Sequence, residues 1–151
     1  MGDLALNIVN GCIDLALTSD GSQLVRDDGL ETAVLISLFT DRYLAESELP
    51  DGADSQRGWW GDEFLPITGD KIGSKIWAFS RAKINGETAS ALQVRAKQAL
   101  NWMIQDGVAS KIDVSTQVLA TTINIIIKIS RPANGSENLY SLYWDGQSLK
   151  R

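Results

Sequence analysis

Apolar and polar residues follow three different rhythms along this chain. Residues 4–9 and 12–17 are apolar runs separated by Asn10-Gly11, a pair that accepts the backbone angles of a two-residue hairpin turn. Asp20-Gly21 marks a second turn. From Asp28-Gly29-Leu30-Glu31 the period lengthens. Asp28 is placed to cap a helix, and Glu31 follows at capping-box distance. That helix runs to Arg42 with apolar residues on nearly every face, which predicts burial in the domain's own core or between partners. Residues 72–79 predict a short helix with Ile72, Ile76 and Phe79 on one side. The clearest amphipathic helix spans 87–105: Leu92, Ala96, Ala99, Leu100 and Met103 recur at spacings of three and four, and Asp106-Gly107 closes it.

The rhythm then shortens to two. In 111–118, Ile112, Val114 and Thr116 face one way and Asp113, Ser115 and Gln117 the other. Residues 122–129 are dominated by β-branched side chains, as in a covered central strand. A turn at 131–136 leads to a last strand at 139–144, then Asp145-Gly146. The prediction is one α+β domain over residues 1–151: an N-terminal β-hairpin, two main helices plus a short one, and a C-terminal three-stranded antiparallel sheet. Residues 44–70 fit no period and carry Pro50-Asp51-Gly52 and Arg57-Gly58-Trp59-Trp60-Gly61-Asp62. A loop that long inside a compact domain usually serves a function.

Composition narrows the chemistry. There is no histidine, which removes the commonest general base and metal ligand and every Ser-His or Cys-His pair. Cys12 is the only cysteine, so no disulfide forms within the chain, and its apolar neighbours predict a small buried residue. No apolar run is long enough to cross a bilayer, no signal-peptide pattern begins the chain, and Met1-Gly2 lacks the residues of a myristoylation site. The expectation is a soluble cytoplasmic chain with no membrane partner. Charge is uneven: residues 1–70 hold 3 basic and 14 acidic side chains, residues 71–151 hold 11 and 5. Such polarity suits a subunit docked between unlike neighbours.

Enzyme and ligand motifs are weak. Glu31 with Asp41, or Asp62 with Glu63, would be the carboxylate pair of a glycan hydrolase, the main alternative function, yet nothing sets a pair across a cleft. Asp51, Asp54 and Asp62 lack the spacing of a calcium loop. Phosphate-binding glycine motifs are absent. Lys71, Lys75, Arg81, Lys83, Arg95 and Lys97 are interleaved with core positions rather than with stacking aromatics, and the acidic first half opposes a polyanion, so no nucleic-acid partner is expected. No catalytic residue, metal or cofactor is assigned. Protein–protein contact remains, with Arg57, Trp59, Trp60 and Asp62 as anchors. For the two tryptophans the expectation is one ring in and one ring out.

Several stretches resemble the Mu-like phage baseplate protein family. They are the run 27–34, Ser37-Leu38-Phe39-Thr40-Asp41-Arg42, Arg57-Gly58-Trp59-Trp60-Gly61-Asp62, Gly73-Ser74-Lys75-Ile76-Trp77, Glu87-Thr88, Ala99-Leu100-Asn101-Trp102 and Asp106-Gly107-Val108-Ala109. The likeness covers nearly the whole chain, and its most specific block is Gly-Trp-Trp-Gly-Asp. It implies a small wedge subunit of a contractile-tail baseplate, related to the small wedge protein of T-even phages and its type VI secretion counterpart. It also implies binding to the larger wedge protein, seeding of the tail sheath protein, and contact with central spike or hub proteins. The setting implied is host cytoplasm during assembly, then the virion tail baseplate. Tyr140, Leu142 and Trp144, on the last strand, are the expected sheath-contacting residues. Distant relatives carry Glu-Pro-Arg just after the tryptophan that ends their long helix; here Trp102 is followed by Met103-Ile104-Gln105, so that wedge contact is not carried over.

Overall fold

A computed structural model describes residues 3–9, 12–27, 29–64, 66, 69–132 and 135–151, without the side chains of Ile8, Val9 and Cys12. The Asn10-Gly11 turn, the Asp28 cap and the expected burial of Cys12 therefore lie outside what is described. In chain order the elements are strands β1 (Asp3–Leu4), β2 (Leu6–Val9), β3 (Cys12–Leu15) and β4 (Arg26–Asp27), helices α1 (Glu31–Phe39), α2 (Gly86–Leu100) and α3 (Trp102–Gln105), and strands β5 (Lys111–Val118), β6 (Ile123–Ser130), β7 (Glu137–Trp144) and β8 (Leu149–Lys150). Short 3-10 turns at Glu46–Glu48, Trp60–Glu63 and Ile76–Phe79 punctuate the long middle segment.

The C-terminal sheet is an antiparallel meander in the order β5-β6-β7-β8. Its fourth strand, absent from the sequence expectation, pairs only Leu149 with Trp144 and Lys150 with Tyr143. Asp145 makes that return possible, since one carboxylate oxygen accepts from the backbone N–H groups of Gln147 and Ser148. The register stacks Ile112, Ile129 and Asn138 in one row and Val114, Ile127 and Tyr140 in the next. Ile123, Ile125, Ile127 and Ile129 are all fully buried, whereas Asn124, Ile126, Lys128 and Ser130 on the other face are half-buried. β6 is therefore central, as expected, but covered on one face only.

Helix α2 covers the inner face. Asn85 caps it, its side-chain oxygen accepting from Thr88 N at 2.8 Å, and Leu92, Ala96, Ala99 and Leu100 point into the core. The helical run expected to reach residue 105 breaks at Asn101, and α3 is a separate turn. Helix α1 packs on α2 through Val34 and Leu38. Its start is held by Asp27, which accepts from Gly29 N and Thr32 N, and Glu31 pairs with Arg151. It also stops at Phe39, short of the expected Arg42, because Thr40 is already extended and the chain bridges from Asp41 to Ser74. Gly73 lets this happen: at φ +93° it lies so close that a Cβ would sit 2.5 Å from the Thr40 carbonyl oxygen.

The N-terminal residues form an arm. β1 pairs with β4, β2 with β3, and Leu17 bridges Leu24. The expected hairpin is present and is continued by a second return. Its described apolar side chains are not core: Leu4, Ile13, Leu15, Leu17 and Leu24 are all exposed.

Candidate protein-docking surface

The middle segment is a loop fixed at a few points. Leu44 is buried and anchors its start. Arg57, at φ 49°, donates to Asp41 at 2.8 Å and lies over the Trp77 ring at 4.6 Å. Trp77 in turn donates to the Arg42 carbonyl at 2.8 Å. Arg57 is thus occupied in holding the loop against the end of α1. Asp62 plays a similar part, accepting from Ile72 N at 3.1 Å. The Trp59 ring lies against Gly61, so close that a Cβ there would meet it at 2.3 Å.

These fixings push three rings outward. Trp60 and Phe64 are 74% and 77% exposed, and Trp59 is 41% exposed. One ring in and one ring out is therefore not what forms; both tryptophans face solvent. They make an aromatic row, with centroids 5.7 Å apart for Trp59–Trp60 and 6.1 Å for Trp60–Phe64. Phe64 was missed by sequence reasoning, since a lone aromatic after Asp62-Glu63 has no periodic signal.

Trp59 also lines a groove of about 840 Å³ with Ala33, Ile36 and Ser37 of α1 and Trp102 of α3. Trp102 donates to Ser37 Oγ at 3.0 Å, which holds its ring across the two helices. Beside it is a cleft of about 460 Å³ lined by Arg42, Tyr43, Lys71, Lys75 and Arg95. In the sequence Lys71, Lys75 and Arg95 are interleaved with core positions; the bridge from Asp41 to Ser74 brings them together with Arg42.

The last strand presents less than expected. Leu142 and Trp144 are core residues, 2% and 0% exposed, so their side chains do not reach a partner. Inward alternation opposite Ile125 and Ile123 explains this. Tyr140 is half-buried, its hydroxyl accepts from Leu30 N at 3.2 Å, and burial raises its pKa above the ordinary phenol value. What β7 offers outward is Leu139, 69% exposed, and an edge that β8 pairs only at Tyr143 and Trp144.

The carboxylates considered for catalysis do not converge. Glu31 pairs with Arg151 and Asp41 with Arg57, at opposite ends of α1. Among the described residues no group of three His, Cys, Asp or Glu gathers as a metal site, and no helix is long and apolar enough to cross a membrane.

Comparison with known proteins falls on this same architecture. The sequence model of the family described as "Phage protein GP46" matches residues 30–137, from the start of α1 into β7. Baseplate protein gp46 of Escherichia phage Mu is 42% identical over 120 residues, covering 79% of this chain and 79% of that protein. Mu-like prophage FluMu protein gp46 of Haemophilus influenzae is 42% identical over 114 residues, covering 76% and 75%. With the family match spanning all three helices and strands β5 and β6, this chain belongs to the phage GP46 family, the Mu-like baseplate proteins.

Proposed function

We propose that this chain is a structural wedge subunit of a contractile phage-tail baseplate, assembled in the host cytoplasm and carried in the virion tail. The phage Mu relative's name as a baseplate protein supports the setting. The observation that carries the docking reading is the aromatic row of Trp59, Trp60 and Phe64 beside the open side of α1. An exposed aromatic cluster held by a rigid loop is the usual form of an interface anchor. The larger wedge protein is the partner assigned to it. The sheath protein is assigned to the free length of the β7 edge, where backbone hydrogen bonds tolerate varied partner side chains. Spike or hub proteins are further neighbours.

The test is co-purification with the larger wedge protein of the same tail, followed by mass determination. A stable complex that Trp60→Ala plus Phe64→Ala dissolves, with the circular dichroism unchanged, supports the reading. A monomer that ignores that protein sinks it. For the sheath contact, purified baseplates carrying Leu139→Asp are expected to lose sheath polymerisation; undiminished sheath growth overturns that assignment. The glycan-hydrolase alternative draws no support from carboxylates that are separately engaged.

A further inference from the structure

The basic cleft and the aromatic groove are one trough. Arg42, Lys71, Gly73, Gln98 and Ala99 line both. At one end Arg42, Lys71, Lys75 and Arg95 converge from the exit of α1, the segment after it and the side of α2. Among the described residues Glu48 is the one carboxylate lining that end, and Lys75 already holds it at 2.6 Å. Among the described residues, none of Arg42, Lys71 and Arg95 lies within ion-pair distance of a carboxylate: Lys71 sits over the Tyr43 ring and Arg95 donates to Gln98. At the other end Ile36, Trp59 and Trp102 offer apolar surface, with Asp3, Asp70 and Asp106 along the lining.

We propose that this trough seats a segment of a partner protein bearing one or two carboxylates followed by a large apolar side chain. The proposal rests on the docking reading above and gives the partner's chemistry. Three unpaired cations in a concave site attract carboxylates, and arginine binds them through a planar fork of donors. The apolar end then rewards a side chain that leaves water. A nucleic acid fits poorly, because its charge continues along the whole backbone and would meet Asp3, Asp70 and Asp106. A second copy inserting its own Glu63-Phe64 fits poorly as well. Trp59 lines the trough beside the knob, so insertion would set two acidic loops face to face.

The test is tryptophan-fluorescence titration of the full chain with three probes: a short peptide repeating two glutamates and two leucines, its lysine counterpart, and a short oligothymidylate. Saturable binding of the acidic peptide is expected, with a dissociation constant below about 1 mM. Lys71→Glu plus Arg95→Glu, checked for folding by circular dichroism, should weaken it by about tenfold or more. No saturation, indifference to the double variant, or tighter binding of the oligothymidylate overturns the proposal. So does self-association of the chain alone that Phe64→Ala abolishes. Capture of the larger wedge protein is measured in parallel. Capture that the double variant leaves intact defeats the trough and spares the docking reading. Charge-dependent peptide binding without capture does the reverse.

Discussion

Trp60 and Trp144 have the same side chain and opposite exposure, 74% and 0%. Trp60→Ala is expected to change stability by no more than about 0.5 kcal/mol, since exposed substitutions rarely do more. Trp144→Ala should cost about 3–5 kcal/mol by opening a cavity under β6. Trp144 Nε1 is buried with no hydrogen-bond partner among the described residues. Trp144→Phe should therefore cost less than Trp144→Ala by about 2 kcal/mol or more, because it keeps the ring and removes an unsatisfied donor. Urea unfolding of the three variants checks all of this. A similar contrast separates two glycines: Gly73→Ala strikes the Thr40 carbonyl, whereas Gly107, at φ +72°, has nothing within 4 Å of an added Cβ. Gly107→Ala is expected to cost about 1 kcal/mol and Gly73→Ala clearly more. Sequence alone ranks neither pair, because spacing does not say which tryptophan has a sheet over it.

Helix ends and strand returns are set by single polar groups. Asn85→Ala removes the cap of α2 and is expected to cost about 1 kcal/mol in thermal or urea unfolding. The turn into β8 depends on Asp145, whose pKa is held at about 2 by the Lys150 ammonium and by backbone N–H groups of Ser148 and Gln147. A depressed carboxylate stabilises the fold above its ordinary pKa, and that contribution disappears as pH falls through about 2. Asp145→Asn keeps the turn geometry and loses the charge. Its deficit, about 0.5–1 kcal/mol for a partly exposed pair, should be full above pH 4 and close as pH approaches 2. A deficit constant across that range would disprove the linkage. At this scale the start of α1 is held beside the expected cap: Asp27 receives Gly29 N and Thr32 N, and Glu31 pairs with Arg151. The Glu31 pairing depends on Arg151 lying beside α1, a contact across nearly the whole chain.

Across the molecule, the core draws on none of the arm's described side chains. Among the described side chains, every residue of the main apolar cluster lies at or after Leu30. A chain lacking residues 1–26 is therefore expected to unfold cooperatively and to keep a helix-and-sheet dichroism spectrum, with α1 still capped by Asp27. Loss of the cooperative transition would show that the arm is structural. Its exposed leucines and isoleucine, with the aromatic row and the β7 edge, give the molecule several unlike sticky surfaces. That distribution suits a subunit fixed among neighbours more than a free monomer.

The local periods are legible in the linear chain, because these depend only on which face of a strand or helix must leave water. The sequence therefore foretold the meander at Ile112, Ile125 and Leu142, the amphipathic helix under it, the tryptophan loop and the family likeness. Packing between distant segments set the rest. It ended α1 at Phe39 through Gly73 and Ser74, added β8 through Asp145, buried Leu142 and Trp144, exposed both loop tryptophans, and joined Arg42, Lys71, Lys75 and Arg95 in one cleft. Burial and charge convergence are properties of packed surfaces, and no linear spacing encodes which surfaces will meet.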